Sequence, residues 1–331
     1  MDDKKNALLK KYRRRQLLIR MLPFAALLIL LIVFCGVVQS RGYRLPMYLK
    51  IVFNESVVLS IVATGATFIY TLGSFDISLG ASTLFSATVG VMAYNATGSF
   101  PLMLLVIFAA AIGCSLLSSI LASVFHIPVF VTTVAMMSVL SAVAGQIITK
   151  NGGAVGGISI PPEVVKPFDV MWFKILILAL FFLACLFLFD FTKAGRRQKF
   201  LGGNPVCARL TGINMNRYAI LAFVMAGIGV GLGAFLTLVY TPSVTTGTAG
   251  SIGMNILVAI VFGGMPISGG PRSRIYAAIV GGFSYIILNN ILKILIDSNS
   301  GYGISQIVSA VFFLVVVYVT SMNYRSQLLP R

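Results

Sequence analysis

The 331 residues contain one histidine, His126, eight acidic residues, four cysteines and one tryptophan. Each scarcity removes a class of function. A lone imidazole excludes a histidine-based metal or catalytic cluster. Cys35, Cys114 and Cys185 fall within apolar runs and Cys207 in a basic loop. Spaced so widely, they read as small hydrophobes rather than a disulfide framework or a ligand set. No Gly-x-x-x-x-Gly-Lys-Ser/Thr loop is present, so the chain cannot by itself cradle ATP phosphates in that way, and no cofactor is implied. The acids are Asp2, Asp3, Glu55, Asp76, Glu163, Asp169, Asp190 and Asp297. Only Asp76 falls where a bundle would bury it, and no second buried acid lies near it in sequence. A relay of intramembrane acids, usual in proton-coupled carriers, is therefore disfavoured.

Apolar residues make up 58% of the chain and charged residues 10%, an excess that implies lipid as solvent. The fold class expected is an all-α, polytopic transmembrane helical bundle. Apolar runs separated by Gly, Pro, Asn and charge place ten spans at 21–39, 53–73, 77–94, 101–124, 129–149, 170–191, 219–240, 253–268, 275–296 and 304–322. The first is a retained span rather than a signal peptide, because the basic run before it is long and Val37-Val38-Gln39-Ser40 matches a cleavage site poorly. Eight of the 25 Lys and Arg residues lie between Lys4 and Arg20, and six between Lys193 and Arg217. Such clusters mark cytoplasmic flanks and favour anionic headgroups, so membrane lipids are expected partners. With both termini inside, 18 cations fall on the cytoplasmic side and seven outside. Arg41, Arg44 and Lys50 sit on the wrong side, where an amphipathic segment resting on the outer surface would accommodate them. His126 is placed in the cytoplasm, and residues 95–100 and 297–303 outside. The division is a basic cytoplasmic tail over 1–20, one membrane domain over 21–322 and a cytoplasmic tail over 323–331. No soluble domain remains to bind nucleic acid.

One motif recurs. Gly73-Ser74-Phe75-Asp76-Ile77-Ser78-Leu79-Gly80 returns as Gly263-Gly264-Met265-Pro266-Ile267-Ser268-Gly269-Gly270. Both copies follow an inward-running span and precede an outward-running one, which reads as a trace of duplication or as glycines gathering at helix breaks. Asp76 is expected to cap the third span by accepting from its first-turn amides, helped by Ser78; a role on the solute pathway is the alternative. Thr64, Thr67, Ser78, Thr132, Thr133, Asn255, Asn289 and Asn290 place hydroxyls and amides in or beside apolar runs. Such groups would pass a neutral polyol along, or equally bond to their own or neighbouring helices. Gly227, Gly229, Gly231 and Gly233 form overlapping Gly-x-x-x-Gly spacings, a packing signal.

The stretch 192–218 is too polar to span and too patterned for a linker. Asn204 is a good N-cap, Pro205 suits the first helical position, and Gly212 suits a left-handed stop. A two-turn helix over 205–211 is expected, reached through a flexible Gly202-Gly203 approach. Ala208 is small where the helix would press on a partner, and Arg209 offers a forked charge. A short capped helix outside the membrane needs a docking surface, either a partner protein or the membrane surface.

From about residue 50 to 320 the chain resembles the permease subunits of bacterial ABC importers for ribose, xylose, other simple sugars and the autoinducer-2 signal. The family's Gly-Gly-hydrophobe-Asp-Leu-Ser-x-Gly segment is matched by Gly73–Gly80. Its Pro-x-Phe-hydrophobe-x-Thr segment is matched by Pro128 to Thr133. Its loop pattern Gly-Gly-Asn-x-x-Ala-Ala-Arg-hydrophobe-x-Gly-Ile reads here from Gly202 to Ile213, and its Gly-Gly-x-x-hydrophobe-Ser-Gly-Gly from Gly263 to Gly270. Two departures stand out: Gly253-Met254-Asn255 where the family often has Glu-Leu-Asp, and Pro271-Arg272-Ser273-Arg274 where it prefers glycine. The resemblance implies a transport subunit without its own ATP site, in the bacterial cytoplasmic membrane. It also implies a second permease copy or close relative, ABC ATPase subunits and an external solute-binding protein. Gly202, Gly203, Asn204, Ala208, Arg209 and Gly212 would couple to the ATPase. Asp76, Ser78, Thr132, Thr133, Asn255 and Ser268 are the pathway candidates. Nucleoside permeases share similar motifs and are the alternative within the class; a secondary carrier or channel is the alternative outside it.

Overall fold

Lipid offers a bare peptide group no hydrogen-bond partner, so long apolar runs satisfy their backbones internally as helices. The structure, a computed structural model, describes residues 2–125, 127–152, 156–248 and 252–295, with single positions at 307, 310, 311, 314 and 318. Helix α1 runs Asp2–Ser40, α2 Leu45–Thr71, α3 Leu79–Thr97, α4 Phe100–Val124 and α5 Val129–Asn151. After strand β1 (Gly157–Ser159) come the single turn α6 (Pro162–Val165) and α7 (Met171–Leu186), which ends in a π turn over Phe187–Phe191. Then follow α8 (Lys193–Gly203), α9 (Pro205–Leu210), α10 (Met215–Tyr240), strand β2 (Ser243–Thr245), α11 (Ile252–Phe262) and α12 (Tyr276–Leu295). The protein is a multi-pass helical membrane bundle. Among the described residues, seven helices are long and apolar enough to cross a bilayer: the Met21–Ser40 part of α1, then α2, α4, α5, α7 with its π turn, α10 and α12.

Several expected boundaries are corrected. The basic N-terminal stretch is helical and continuous with the first span. No separate surface segment holds Arg41, Arg44 and Lys50: α2 starts at Leu45, eight residues ahead of the expected 53, with Pro46 in its first turn. Arg41 reaches the Leu295 carbonyl, 3.3 Å away. The expected span 253–268 is helical only over the eleven residues of α11, roughly 16 Å of rise against about 30 Å of hydrocarbon. Its end follows from chemistry: Gly264 is left-handed at φ 87° and Pro266 follows. Helix α3 is long enough, at 19 residues, but buries Ser82, Thr83, Ser86 and Thr88 and so packs inside the bundle. The tiny sheet was not expected; β1 and β2 pair antiparallel with Ile158 opposite Val244, tying the α5–α6 connection to the α10–α11 connection. The expected span 304–322, the loop 297–303, His126 and the tail 323–331 lie outside the described residues, apart from the single positions given above.

Helix α2 is the hub, buried along most of its length and packed by α10, α12, α11 and α7. The glycines of α10 explain how close its neighbours come. A Cβ on Gly229 would lie 3.1 Å from the Ile61 carbonyl of α2, and one on Gly233 2.4 Å from Val62 Cγ2. A Cβ on Gly227 would meet Ile112 Cα of α4 at 2.9 Å, and one on Gly231 the Phe108 ring at 2.7 Å. The two interleaved pairs thus serve two different helices, with dispersion and close backbone approach replacing the hydrophobic effect that lipid removes. Thr64, Thr67 and Thr71 donate back to the carbonyls of Ser60, Ala63 and Thr67 at 2.7–2.8 Å, so their hydroxyls are satisfied within α2.

Candidate functional site

Three glycine-bearing segments converge at the end of the bundle that carries α8 and α9. The first is the end of α2 and the loop 72–78, which turns at the left-handed Gly73, φ 75°. The second is the other copy of the motif, the α11–α12 loop, in which Gly264, Gly269 and Gly270 are all left-handed. The two copies touch. A Cβ on Gly73 would lie 3.2 Å from the Ser268 carbonyl and one on Gly269 2.5 Å from that of Tyr70, and Gly270 N–H donates to the Thr71 carbonyl at 2.9 Å. The third segment is the C-terminal turn of α8, where a Cβ on Gly202 would fall 1.8 Å from the Thr71 carbonyl oxygen and 3.0 Å from Gly270 N. Gly203 abuts the Pro271 ring. Gly202 and Gly203 are thus not a flexible approach. They are helical residues of α8 held in a joint whose meeting point is the Thr71 carbonyl.

Helix α8 was missed because its three glycines and high charge masked a short amphipathic pattern. Thr192 caps it by accepting from Gly195 N–H at 3.3 Å, and Gly195, Gln198 and Leu201 turn inward. Gln198 donates to the Phe68 carbonyl at 3.0 Å, anchoring α8 to α2. Helix α9 starts and stops as its residues require. Asn204 accepts from Cys207 N–H at 3.0 Å and Pro205 occupies the first turn. Ile213 N–H returns to the Ala208 carbonyl at 3.1 Å, with Gly212 left-handed at φ 77°. Ala208, expected at a partner surface, is instead fully buried inside the chain. The outward residues of α9 are Pro205, Val206 (69% exposed), Cys207, Arg209 and Leu210 (83%).

Asp76 is 1% exposed in the loop between α2 and α3. Its Oδ1 accepts from Ser78 N–H at 2.8 Å and from Ser78 Oγ at 2.6 Å. This is a turn preceding α3. The expected bonds to first-turn amides are not among those it makes, and Ser78, at the cap position, makes no side-chain capping bond. Its Oδ2 is buried without a hydrogen-bond partner. Burial pushes the carboxyl up to about 6, against the opposing pull of the Ser78 bonds. Thr133 of α5 braces the same loop, its hydroxyl lying 3.4 Å from both Ile77 N and the Phe75 carbonyl, while Thr132 bonds back to Pro128. Asn255 of α11 accepts from the Tyr285 hydroxyl at 2.8 Å. Two residues before it, a Cβ on Gly253 would lie 2.2 Å from the Ile77 carbonyl. Any larger side chain would push α11 off the Asp76 loop. Asp76, Ser78, Thr133 and Gly253 therefore gather at one loop and Ser268 adjoins its start, whereas Asn255 faces α12.

A second polar cluster was missed at the opposite end. Lys174, nearly fully buried, donates to Asn54 Oδ1 at 2.6 Å and Asp169 Oδ1 at 2.5 Å. Lys50 completes the triad on Asp169 Oδ2 at 3.1 Å, and Asn290 donates to Glu55 at 3.0 Å. Partial burial acts to raise the Asp169 carboxyl, but bonds from Lys174 and Lys50 outweigh it and hold it below the usual carboxylate range. Lys174 falls near the start of the expected span 170–191 and counts from sequence only as one of the outside cations; nothing local to it points to Asn54, which comes from α2.

The family described as "Branched-chain amino acid transport system / permease component" matches residues 48–320. The chain belongs to this family. The ribose import permease RbsC of Escherichia coli K12 is 27% identical over 284 residues, covering 81% of this chain and 84% of the relative. RbsC of Haemophilus influenzae is 26% identical, covering 88% and 90%. The autoinducer 2 import permease LsrD of Escherichia coli O9:H4 is 28% identical over 320 residues, covering 92% and 93%. No solved structure matches the chain. The Gly202–Ile213 segment, the Asp76 loop and the Gly263–Gly270 loop all lie inside the matched region.

Proposed function

We propose that the chain is the membrane-spanning permease subunit of an ATP-driven ABC importer that passes a small neutral solute, a simple sugar, into the bacterial cell. Family membership and the ribose and autoinducer-2 relatives support the class. In this reading the chain sits in the bacterial cytoplasmic membrane as a multi-pass bundle with both termini inside. It pairs with a second copy or close relative, takes solute from an external binding protein and has no ATP site of its own. The observation that carries the proposal is the joint: α9 offers Val206 and Leu210 outward, and α8 fixes it through Gly202 to the Thr71 carbonyl and Gly270. An ATPase dimer that closes on ATP would move α9. Because glycines leave no slack at the joint, the ends of α2 and of the α11–α12 loop would move with it, shifting the Asp76 loop beside the pathway.

The family description names branched-chain amino acids, whereas the three relatives above name ribose and autoinducer 2. The test is uptake by vesicles holding the permease with its ATPase and binding protein, offered labelled pentose, nucleoside or leucine. ATP-dependent pentose uptake is expected. Uptake of leucine or nucleoside alone would reassign the solute, and uptake without the ATPase would make the chain a secondary carrier or channel.

A further inference from the structure

We propose that α8 carries a binding site for an anionic phospholipid of the leaflet at the α8–α9 end. Helix α8 divides cleanly by face. Gly195, Gln198 and Leu201 are buried against the bundle, while Lys193, Arg196, Arg197 and Phe200 recur at helical spacing on the exposed side. That side holds three cations and no acid. The nearest acid along the chain, Asp190, is paired with Lys199, whose ammonium also sits 4.2 Å from the Phe189 ring. Arg197 bonds to the Tyr218 hydroxyl at 3.3 Å. Among the described residues Lys193 and Arg196 have no ion-pair partner.

Position decides what covers this face. The span Met171–Phe191 has 21 residues, roughly 31 Å of helix, which matches the hydrocarbon thickness of about 30 Å. Its last turn exposes Phe187 (62%) and Phe191 (69%), stacked 6.2 Å apart. The first cation, Lys193, stands two residues beyond Phe191, where headgroup phosphates lie. An acyl chain against the two phenylalanines and a phosphate against Lys193, Arg196 and Arg197 fit one lipid molecule end to end. The apolar outward residues of α9 have no such match and are left to a protein. A lipid held here would fix α8 to the leaflet and so set the resting position of the Gly202 joint. That regulatory consequence, unlike the binding itself, rests on the proposed coupling role.

The experiment uses the full-length protein in vesicles of phosphatidylcholine with and without phosphatidylglycerol, reading lipid selectivity with spin-labelled lipids. Native protein should prefer phosphatidylglycerol. The variant K193Q/R196Q/R197Q should lose on the order of a hundredfold in that preference, with ATPase co-purification and melting temperature unchanged, and a K166Q control should keep it. Inorganic phosphate should not displace the lipid. Should the triple variant misfold, K193Q and R196Q each remove a side chain without an ion-pair partner and should each lose part of the preference. Native-like selectivity in the variants overturns the proposal, as does displacement by inorganic phosphate. Loss of ATPase binding with selectivity intact overturns it in favour of an ATPase dock. Failure of ATP-driven uptake would sink the importer reading and leave the lipid result standing.

Discussion

Replacing Gly202 by alanine tests the joint with a single methyl group. The new Cβ would lie 1.8 Å from the Thr71 carbonyl oxygen, 2.9 Å from its carbon and 3.0 Å from Gly270 N. All three are backbone atoms, so no side chain can swing away, and α8 must retreat by roughly 1.5 Å to restore ordinary contact. Overpacking costs about 1–3 kcal/mol. Loosening the Gly270 N–H bond to the same carbonyl, 2.9 Å long, adds about 1–3 kcal/mol if that carbonyl is left unsatisfied. Against these stands only the gain of about 1 kcal/mol from alanine over glycine in a helix. The net expectation is a loss of about 1–5 kcal/mol, read as a lower melting temperature in detergent. Gly113 of α4 is the control, because nothing lies within 4 Å of its added Cβ; G113A should be neutral or stabilising by up to about 1 kcal/mol. In vesicles, G202A should also transport less solute per ATP hydrolysed. A G202A protein that melts at or above the native temperature with normal coupling refutes the close-packed joint.

Three further outcomes follow from the same geometry. Asp76, outside the spans, has a folded pKa of about 6 against 3.8 unfolded, so its stabilising contribution is complete below 3.8 and is lost as pH rises through 6. D76N keeps an acceptor for Ser78 without the buried charge. It should gain stability over native at about pH 8, by no more than about 3 kcal/mol, and show no gain near pH 4; an Asn variant less stable than native at the higher pH contradicts this. Asp169 has a depressed pKa, so its contribution holds above the unfolded carboxylate range and fades as pH falls below it. D169N should abolish that acid dependence while leaving Lys174 with Asn54 alone, a change visible in melting curves across pH. L210E, on the most exposed apolar residue of α9, should leave folding and insertion intact but reduce ATPase co-purification at least tenfold; unchanged association moves the dock elsewhere.

Long apolar periodicity made most spans legible, because lipid leaves a helix as the only way to satisfy the backbone. The misplaced elements are those in which protein replaces lipid as the neighbour. The 253–268 run looks like a span, yet its second half unwinds over Gly263–Gly270, because left-handed glycines there fit against Gly73 and Gly202. The caps at Asn204 and Gly212 were readable because capping is a local property. The inward turn of Ala208 was not, since a face is decided by α8, which the glycine content concealed. The likeness of the two glycine-rich segments was visible in the sequence, but their contact was not, because nothing in spacing says that Gly270 N–H will meet the Thr71 carbonyl. Lys174 escaped for the same reason: its partners Asn54 and Asp169 come from different elements.

The central claim, that α9 is where a separate ATPase engages this permease, is tested most directly at Cys207. It is a native thiol exposed on α9, while Cys114 and Cys185 are buried and Cys35 is partly so. A short thiol-to-amine crosslinker added to membranes containing the assembled importer should produce one permease–ATPase adduct, absent in C207S. Bound ATPase should also shield Cys207 from maleimide. Cys207 labelled as fast in the assembled importer as in the isolated permease, with no ATPase adduct, would contradict the account.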